Sequence, residues 1–219
     1  IEEELSWENL NVICKRIIEN KPFIVVIQGG EPFLCKSIVK VIECLTNHGI
    51  FTEIITNGTL ITSEIIEALK SFDKSYIRIK VSIDGSNSET NDKIRGKGSF
   101  ERAIKAIREL KKAGIYVRIQ SVATCENIHD MRNIYELSNE LSVDSFGFTP
   151  VLHIGRAKEN MEPQLKDVLE EAVYIKKREI EKRNVAIHLL RLGYIQNIEG
   201  IEKIEELNSN DFNTDTIFY

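Results

Sequence analysis

The sequence predicts an α/β fold, a parallel sheet with helices outside it. Short apolar runs alternate along the chain with longer stretches of helical periodicity. The runs begin near Ile24, Thr52, Ile77, Ile115 and Ser145, spaced 28, 25, 38 and 30 residues apart. Parallel neighbours need a crossover between them, usually a helix, and this rhythm supplies one each time. Two architectures satisfy the pattern: a doubly wound sheet, or part of a TIM-type barrel.

Each element has its own reason. Phe23 to Ile27 is a continuous apolar run, as in a strand buried on both faces. Lys36 to His48 carries Ile38, Val41, Ile42 and Leu45 on one helical face, and Gly49 stops it. Phe51 to Thr56 is the second strand, and Thr62 or Ser63 caps a helix bearing Ile65, Ile66 and Leu69. Tyr76 to Ile83 alternates as a strand does. A long polar stretch follows, Asp84 to Gly98, read as a loop. Ser99 opens a helix closed by Gly114, and Ile115 to Val122 is a strand. Asn127 and Asp130 are spaced as a capping pair for a helix through Leu141. Ser145 to Val151 is the fifth strand, Pro163 to Arg183 a charged helix, and Val185 to Leu190 a further strand.

Composition narrows the function classes. The 219 residues are 42% hydrophobic and 29% charged, which fits a packed globular domain. Net charge is −5 and the Lys and Arg residues are dispersed, so a nucleic-acid partner is not expected. The longest clean apolar run falls far short of the roughly 20 residues of a membrane span, so neither is a membrane. Cys14, Cys35, Cys44 and Cys125 lie 21, 9 and 81 residues apart, with no CxxC among them. With no secretory signal at the start of the sequence, free thiols in a reducing cytoplasm are expected.

In either architecture the chemistry sits where the strands end. The first strand runs into Gln28-Gly29-Gly30-Glu31-Pro32. Two glycines let a ligand approach the backbone and permit positive φ, and a carboxylate beside backbone carbonyls suits an ammonium group. A tight turn entering a helix accounts for the same residues. The second strand ends in Thr56-Asn57-Gly58-Thr59, a turn sequence. The third ends in Ser82-Ile83-Asp84-Gly85, where an acid can take a ribose diol. Arg95, in the polar stretch, has the planar fork that clamps a carboxylate, and Gly155-Arg156-Ala157 follows the fifth strand. Together these suit an amino-acid nucleoside.

Gly29-Gly30-Glu31-Pro32, Thr56-Asn57-Gly58-Thr59-Leu60, Val81-Ser82-Ile83-Asp84-Gly85 and Arg95-Gly96 ahead of Ser99-Phe100, in this order, resemble the radical S-adenosylmethionine (AdoMet) superfamily. The span from Asp84 to Phe100 and then Gly155-Arg156-Ala157 look most like its SPASM or twitch branch, which includes maturases of ribosomally made peptides. The resemblance covers roughly Phe23 to Ala157. It implies a partial (β/α)6 TIM-type barrel. It implies that Gly29, Gly30 and Glu31 meet the AdoMet amino group, with Thr56 and Asn57 lining the same pocket. Ser82 and Arg95 would reach the AdoMet carboxylate or ribose, and Asp84 the ribose.

The family holds a [4Fe–4S] cluster through a CxxxCxxC loop after its first strand, and that motif is not in these 219 residues. The chain is therefore expected to be the middle of a longer protein, inactive alone, with Ser6-Trp7-Glu8 opening the helix that follows the loop. Residues 1–190 would be the barrel core, lacking the first strand and cluster loop. Residues 191–219 would begin a SPASM or twitch extension, where auxiliary clusters would be bound. The implied reaction is reductive cleavage of AdoMet to a 5′-deoxyadenosyl radical, which abstracts hydrogen from a precursor peptide or protein. The electron would come from a flavodoxin- or ferredoxin-like donor. The alternatives are a clusterless peptide-binding module and, last, a non-radical barrel enzyme using Glu31 and Asp84.

Overall fold

The computed structural model describes residues 5–151, 161–182 and 186–187. Helix α1 spans Trp7–Asn20, strand β1 Ile24–Ile27, α2 Ile38–Thr46, β2 Phe51–Thr56, α3 Ser63–Lys70 and β3 Ile77–Ser82. There follow α4 (Ser88–Arg95), α5 (Ser99–Lys112), β4 (Tyr116–Ala123), α6 (Met131–Glu140), β5 (Ser145–Pro150), α7 (Leu165–Lys182) and β6 (Ala186–Ile187). The six strands among the described residues all pair in parallel, in the order β1-β2-β3-β4-β5-β6. That order separates the two architectures. A doubly wound sheet reverses its order at a switch point, whereas a barrel winds one way. This sheet never reverses.

Caps set several helix starts. The Ser6 hydroxyl accepts from Asn9 N at 3.4 Å to open α1, and the Thr62 hydroxyl accepts from Ile65 N at 3.4 Å to open α3. The sheet has one greasy face and one polar one. Ile54, Ile79, Val81, Val117, Ile119 and Phe146 are fully buried in the core cluster beneath α2, α3, α5 and α6. Each such side chain contributes about 1.5–3 kcal/mol by leaving water. On the other face, Glu53 pairs in register with Arg78, and Lys80 with Arg118. Lys80 Nζ lies 2.7 Å from Glu53 Oε1, and Arg78 sits over the rings of Phe51 and Tyr116 at 5.0 and 4.5 Å.

Three expectations change. The second helix runs Ile38–Thr46, inside the expected 36–48, because a 3-10 turn at Pro32–Leu34 precedes it. The polar stretch 84–98 contains α4. Asn127 and Asp130 do not cap α6: neither side chain accepts from a backbone N–H of its first turn, although Asp130 Oδ1 accepts from the Asn133 side-chain amide at 2.9 Å. Asn127 is drawn to the end of β4, and the Asp130 carboxylate accepts from Ser86 N and the Ser86 hydroxyl, each at 2.7 Å. Of the expected strand 185–190, Ala186–Ile187 is a strand. The Gly155-Arg156-Ala157 sequence and the stretch 191–219 lie outside the described residues. No helix among the described residues is long and apolar enough to cross a membrane.

Candidate functional site

The parallel register brings the candidate residues to one rim. Thr56 is level with Val81, and Ser82 with Gln120, so the ends of β2 and β3 stand side by side and β4 runs on past them to Ala123.

Gly29 and Gly30, at the end of β1, are exposed. Neither takes positive φ, contrary to the sequence-based expectation. A Cβ at either position would meet no atom within 4 Å. Packing therefore does not require these glycines, and what a side chain would fill is open space in front of the backbone. Gly58 is the opposite case: its φ is +73°, and a Cβ there would stand 3.3 Å from the Ala103 backbone.

Glu31 follows, half-buried, and caps the 3-10 turn by accepting from Phe33 N at 3.2 Å. Its carboxylate also crosses to β2. Oε1 accepts the Thr56 hydroxyl at 2.6 Å and Oε2 accepts Asn57 N at 2.8 Å. The Thr56 hydroxyl accepts in turn from Gly58 N, and Asn57 Oδ1 accepts from Thr59 N and its hydroxyl. A carboxylate has about four acceptor positions. Three are occupied, so Glu31 is locked in place with room for one more donor, as a bound ammonium requires.

The second cluster closes the ends of β3 and β4. Asp84 is buried, 4% exposed. Its N–H donates to Asn91 Oδ1 at 2.9 Å, its carbonyl accepts from Asn127 Nδ2 at 2.9 Å, and its Oδ1 accepts from Val122 N at 2.8 Å. Its Oδ2 lies 2.7 Å from Arg95 Nη2. Burial pushes the Asp84 carboxyl above its ordinary range, outweighing the nearby Arg95 charge and the Val122 bond. Arg95 is the last residue of α4, partly exposed, with a buried Nε that makes no hydrogen bond. Ser82 is half-buried at the end of β3.

The structure thus brings Glu31, Thr56 and Asn57 together, and Asp84 and Arg95 together. Helix α4, which delivers Arg95, escaped the sequence reading because it has no apolar stripe; its one large apolar side chain, Ile94, is 40% exposed. The available signal was Asn87 ahead of Glu89 and Thr90, since Asn87 Oδ1 caps the helix at Thr90 N, 3.0 Å away. Asn91 and Asn127 also went unnoticed as site residues. Asn91 shows no pattern at all, and Asn127 has the spacing of a helix cap.

Open backbone at Gly29 and Gly30, the one vacant acceptor position on Glu31 and the unpaired Nε of Arg95 fit the amino-acid end of AdoMet. A metal cluster finds no such fit here: among the described residues no group of three or more His, Cys, Asp and Glu could hold a metal ion.

A family model described as the Radical SAM superfamily matches residues 2–138. The chain is 34% identical over 140 residues to the AdoMet-dependent heme synthase of Methanosarcina barkeri, covering 64% of this chain and 40% of that protein. It is 34% identical over 129 residues to the mycofactocin maturase MftC of Mycolicibacterium smegmatis, covering 58% and 32%. It is 28% identical over 160 residues to AlbA, the subtilosin biosynthesis protein of Bacillus subtilis, covering 73% and 36%. The chain thus spans well under half the length of these curated relatives. Among solved structures, Streptococcus suis SuiB bound to S-adenosylmethionine superposes with a TM-score of 0.71 at 22% identity, over 81% of this chain and 42% of that one. At that identity the likeness shows the fold, a partial TIM barrel. The fold, the glycine-glycine-glutamate turn at the end of β1 and the family match over most of the described residues agree: the chain belongs to the radical SAM superfamily, whose enzymes use AdoMet and a [4Fe–4S] cluster.

Proposed function

We propose that these residues are the AdoMet-holding core of an enzyme that reductively cleaves AdoMet and uses the resulting 5′-deoxyadenosyl radical to take hydrogen from a ribosomally made peptide or protein. The observation that carries the reading is the pairing of open Gly29–Gly30 backbone with a Glu31 fixed by Thr56 and Asn57. Glu31 and the glycine carbonyls receive the amino group. Ser82 and Arg95 take the carboxylate or the ribose. Asp84, whose carboxylate is engaged inside the protein, acts at the rim through Arg95. The cluster that the superfamily uses supplies the electron, its ligands are not among the described residues, and a flavodoxin- or ferredoxin-like protein reloads it. The chain's part is to bind, orient and keep water away while AdoMet carries the hard chemistry.

The peptide substrate class rests on likeness to the maturase MftC and to AlbA. A tetrapyrrole substrate is the second reading, favoured by the match to the heme synthase. The test is AdoMet binding and 5′-deoxyadenosine release by the full-length, cluster-loaded protein, with Glu31→Ala as control. Binding that Glu31→Ala abolishes supports the reading; binding indifferent to Glu31 refutes the site. Precursor peptide and iron coproporphyrin, added in turn, separate the two substrate classes by which one is consumed.

A further inference from the structure

We infer that Asn127 is a positioning residue for this reaction, acting through Asp84 to set the orientation in which Arg95 meets AdoMet. This rests on the reading of the rim as the AdoMet site.

Asn127 is 4% exposed and its amide is fully used. Nδ2 donates to the Asp84 carbonyl at 2.9 Å and the Val122 carbonyl at 3.0 Å. Oδ1 accepts from Thr124 N at 2.7 Å and from the Thr124 hydroxyl at 3.1 Å. The amide can face only one way, because a flip would set its N–H groups against the Thr124 N–H and its oxygen against two carbonyls. An asparagine offers two donors and one oxygen with two acceptor positions, so nothing is left over for a ligand.

What the amide holds is the turn that carries Asp84. Val122 is gripped on both sides, its carbonyl by Asn127 and its N–H by the Asp84 carboxylate. Asp84 is gripped at its N–H by Asn91, which is itself buried and donates to Ser99 Oγ at 3.0 Å. Gly85 packs directly against α4, since a Cβ there would run into the Asn91 backbone. With its backbone held at both ends and one carboxylate oxygen taken, Asp84 presents the other to Arg95 in a single direction. Arginine has many rotamers, and fixing one before the ligand arrives removes an ordering cost from binding. Asn127 therefore touches no AdoMet atom and still tunes affinity.

The experiment is a double-mutant cycle on the full-length, cluster-loaded protein, with AdoMet dissociation constants from calorimetry and melting temperatures alongside. Arg95→Ala is expected to weaken AdoMet binding. Asn127→Ser is expected to weaken it about tenfold in the parent and to have no further effect in the Arg95→Ala background. An equal loss in both backgrounds, or a lower melting temperature with unchanged affinity, overturns the inference and leaves the AdoMet site intact. Arg95→Ala that binds like the parent removes Arg95 from the site, and the positioning role goes with it. Should Asn127→Ser not fold, Thr124→Val, which takes away one bond to Oδ1, carries the same comparison with an expected loss of about threefold.

Discussion

The Thr56 hydroxyl donates to Glu31 Oε1 across 2.6 Å and joins the exit of β1 to the exit of β2. The same hydroxyl accepts from the buried Gly58 N. Thr56→Val keeps the shape and removes both bonds. It should cost about 1–3 kcal/mol of stability for the stranded N–H. AdoMet affinity should drop as well, because Glu31 loses one of its anchors. Denaturant melts and AdoMet titration read the two effects separately, and an unchanged affinity would remove Thr56 from the site.

Glycines at the rim divide into two kinds. Gly30→Ala points a methyl into open space, so the melting temperature should stay within about 2 °C of the parent while AdoMet binding collapses. Gly85→Ala drives a methyl into the Asn91 backbone and should lower stability by about 1–3 kcal/mol or more. A reversed pattern, with Gly30→Ala unstable and Gly85→Ala silent, would contradict the geometry.

The rhythm of βα units made the sheet, its direction and most helix positions legible in the sequence, because each strand sets an apolar row against the helices and parallel neighbours need a long crossover between them. The turns at Gly29 to Glu31 and Thr56 to Thr59 were equally legible as strand ends, because local motifs mark them, and the structure joins them through Glu31, Thr56 and Asn57. Helix α4 was not: polar on all sides, it stands on the Asn87 cap and on the buried Asn91–Ser99 bond, neither of which leaves a periodic trace. Asn127 misled for a related reason. A buried asparagine serving two strand ends has the same letter and spacing as one capping a helix.

Two aspartates in the Asp84 to Gly98 stretch should titrate in opposite senses. Bonds from Phe100 N and Gly98 N lower the Asp92 carboxyl. Its contribution to stability is present above the ordinary aspartate value of about 3.9 and is lost as pH falls through its lower folded value. Asp84 is raised, so its contribution is full below that ordinary value and is lost as pH rises through its higher folded one. Measured against pH, the advantage of the parent over Asp92→Asn should therefore shrink on acidification, and that over Asp84→Asn should shrink on going towards neutrality. Parallel slopes for the two variants would show that one assignment is wrong.

Helices α6 and α7 are clamped by Arg132 Nε, 2.9 Å from Glu171 Oε2, with a second bond from Nη2 to Oε1. The side chains are 41% and 1% exposed, so removing them is not equivalent. Arg132→Ala leaves a buried carboxylate with the His129 ring, whose Nδ1 lies 3.6 Å away, in place of a two-point guanidinium bond, and should cost about 3–5 kcal/mol. Glu171→Ala leaves a cation that can turn to water, and should cost less by about 1–2 kcal/mol. Equal losses from urea melts would mean that Glu171 finds another partner.

A sheet whose spatial order is its chain order can be assembled while it is being synthesised. Each strand from β2 onward finds its neighbour in the strand made just before it, so contacts stay short in sequence and few edges wait for distant segments. The rim inherits that schedule. Glu31, Thr56 and Asn57 can engage once β2 has emerged from the ribosome, whereas Asp84, Arg95 and Asn127 must wait for β4 and the loop after it. The nascent protein therefore completes the Glu31 cluster before the Asp84 cluster.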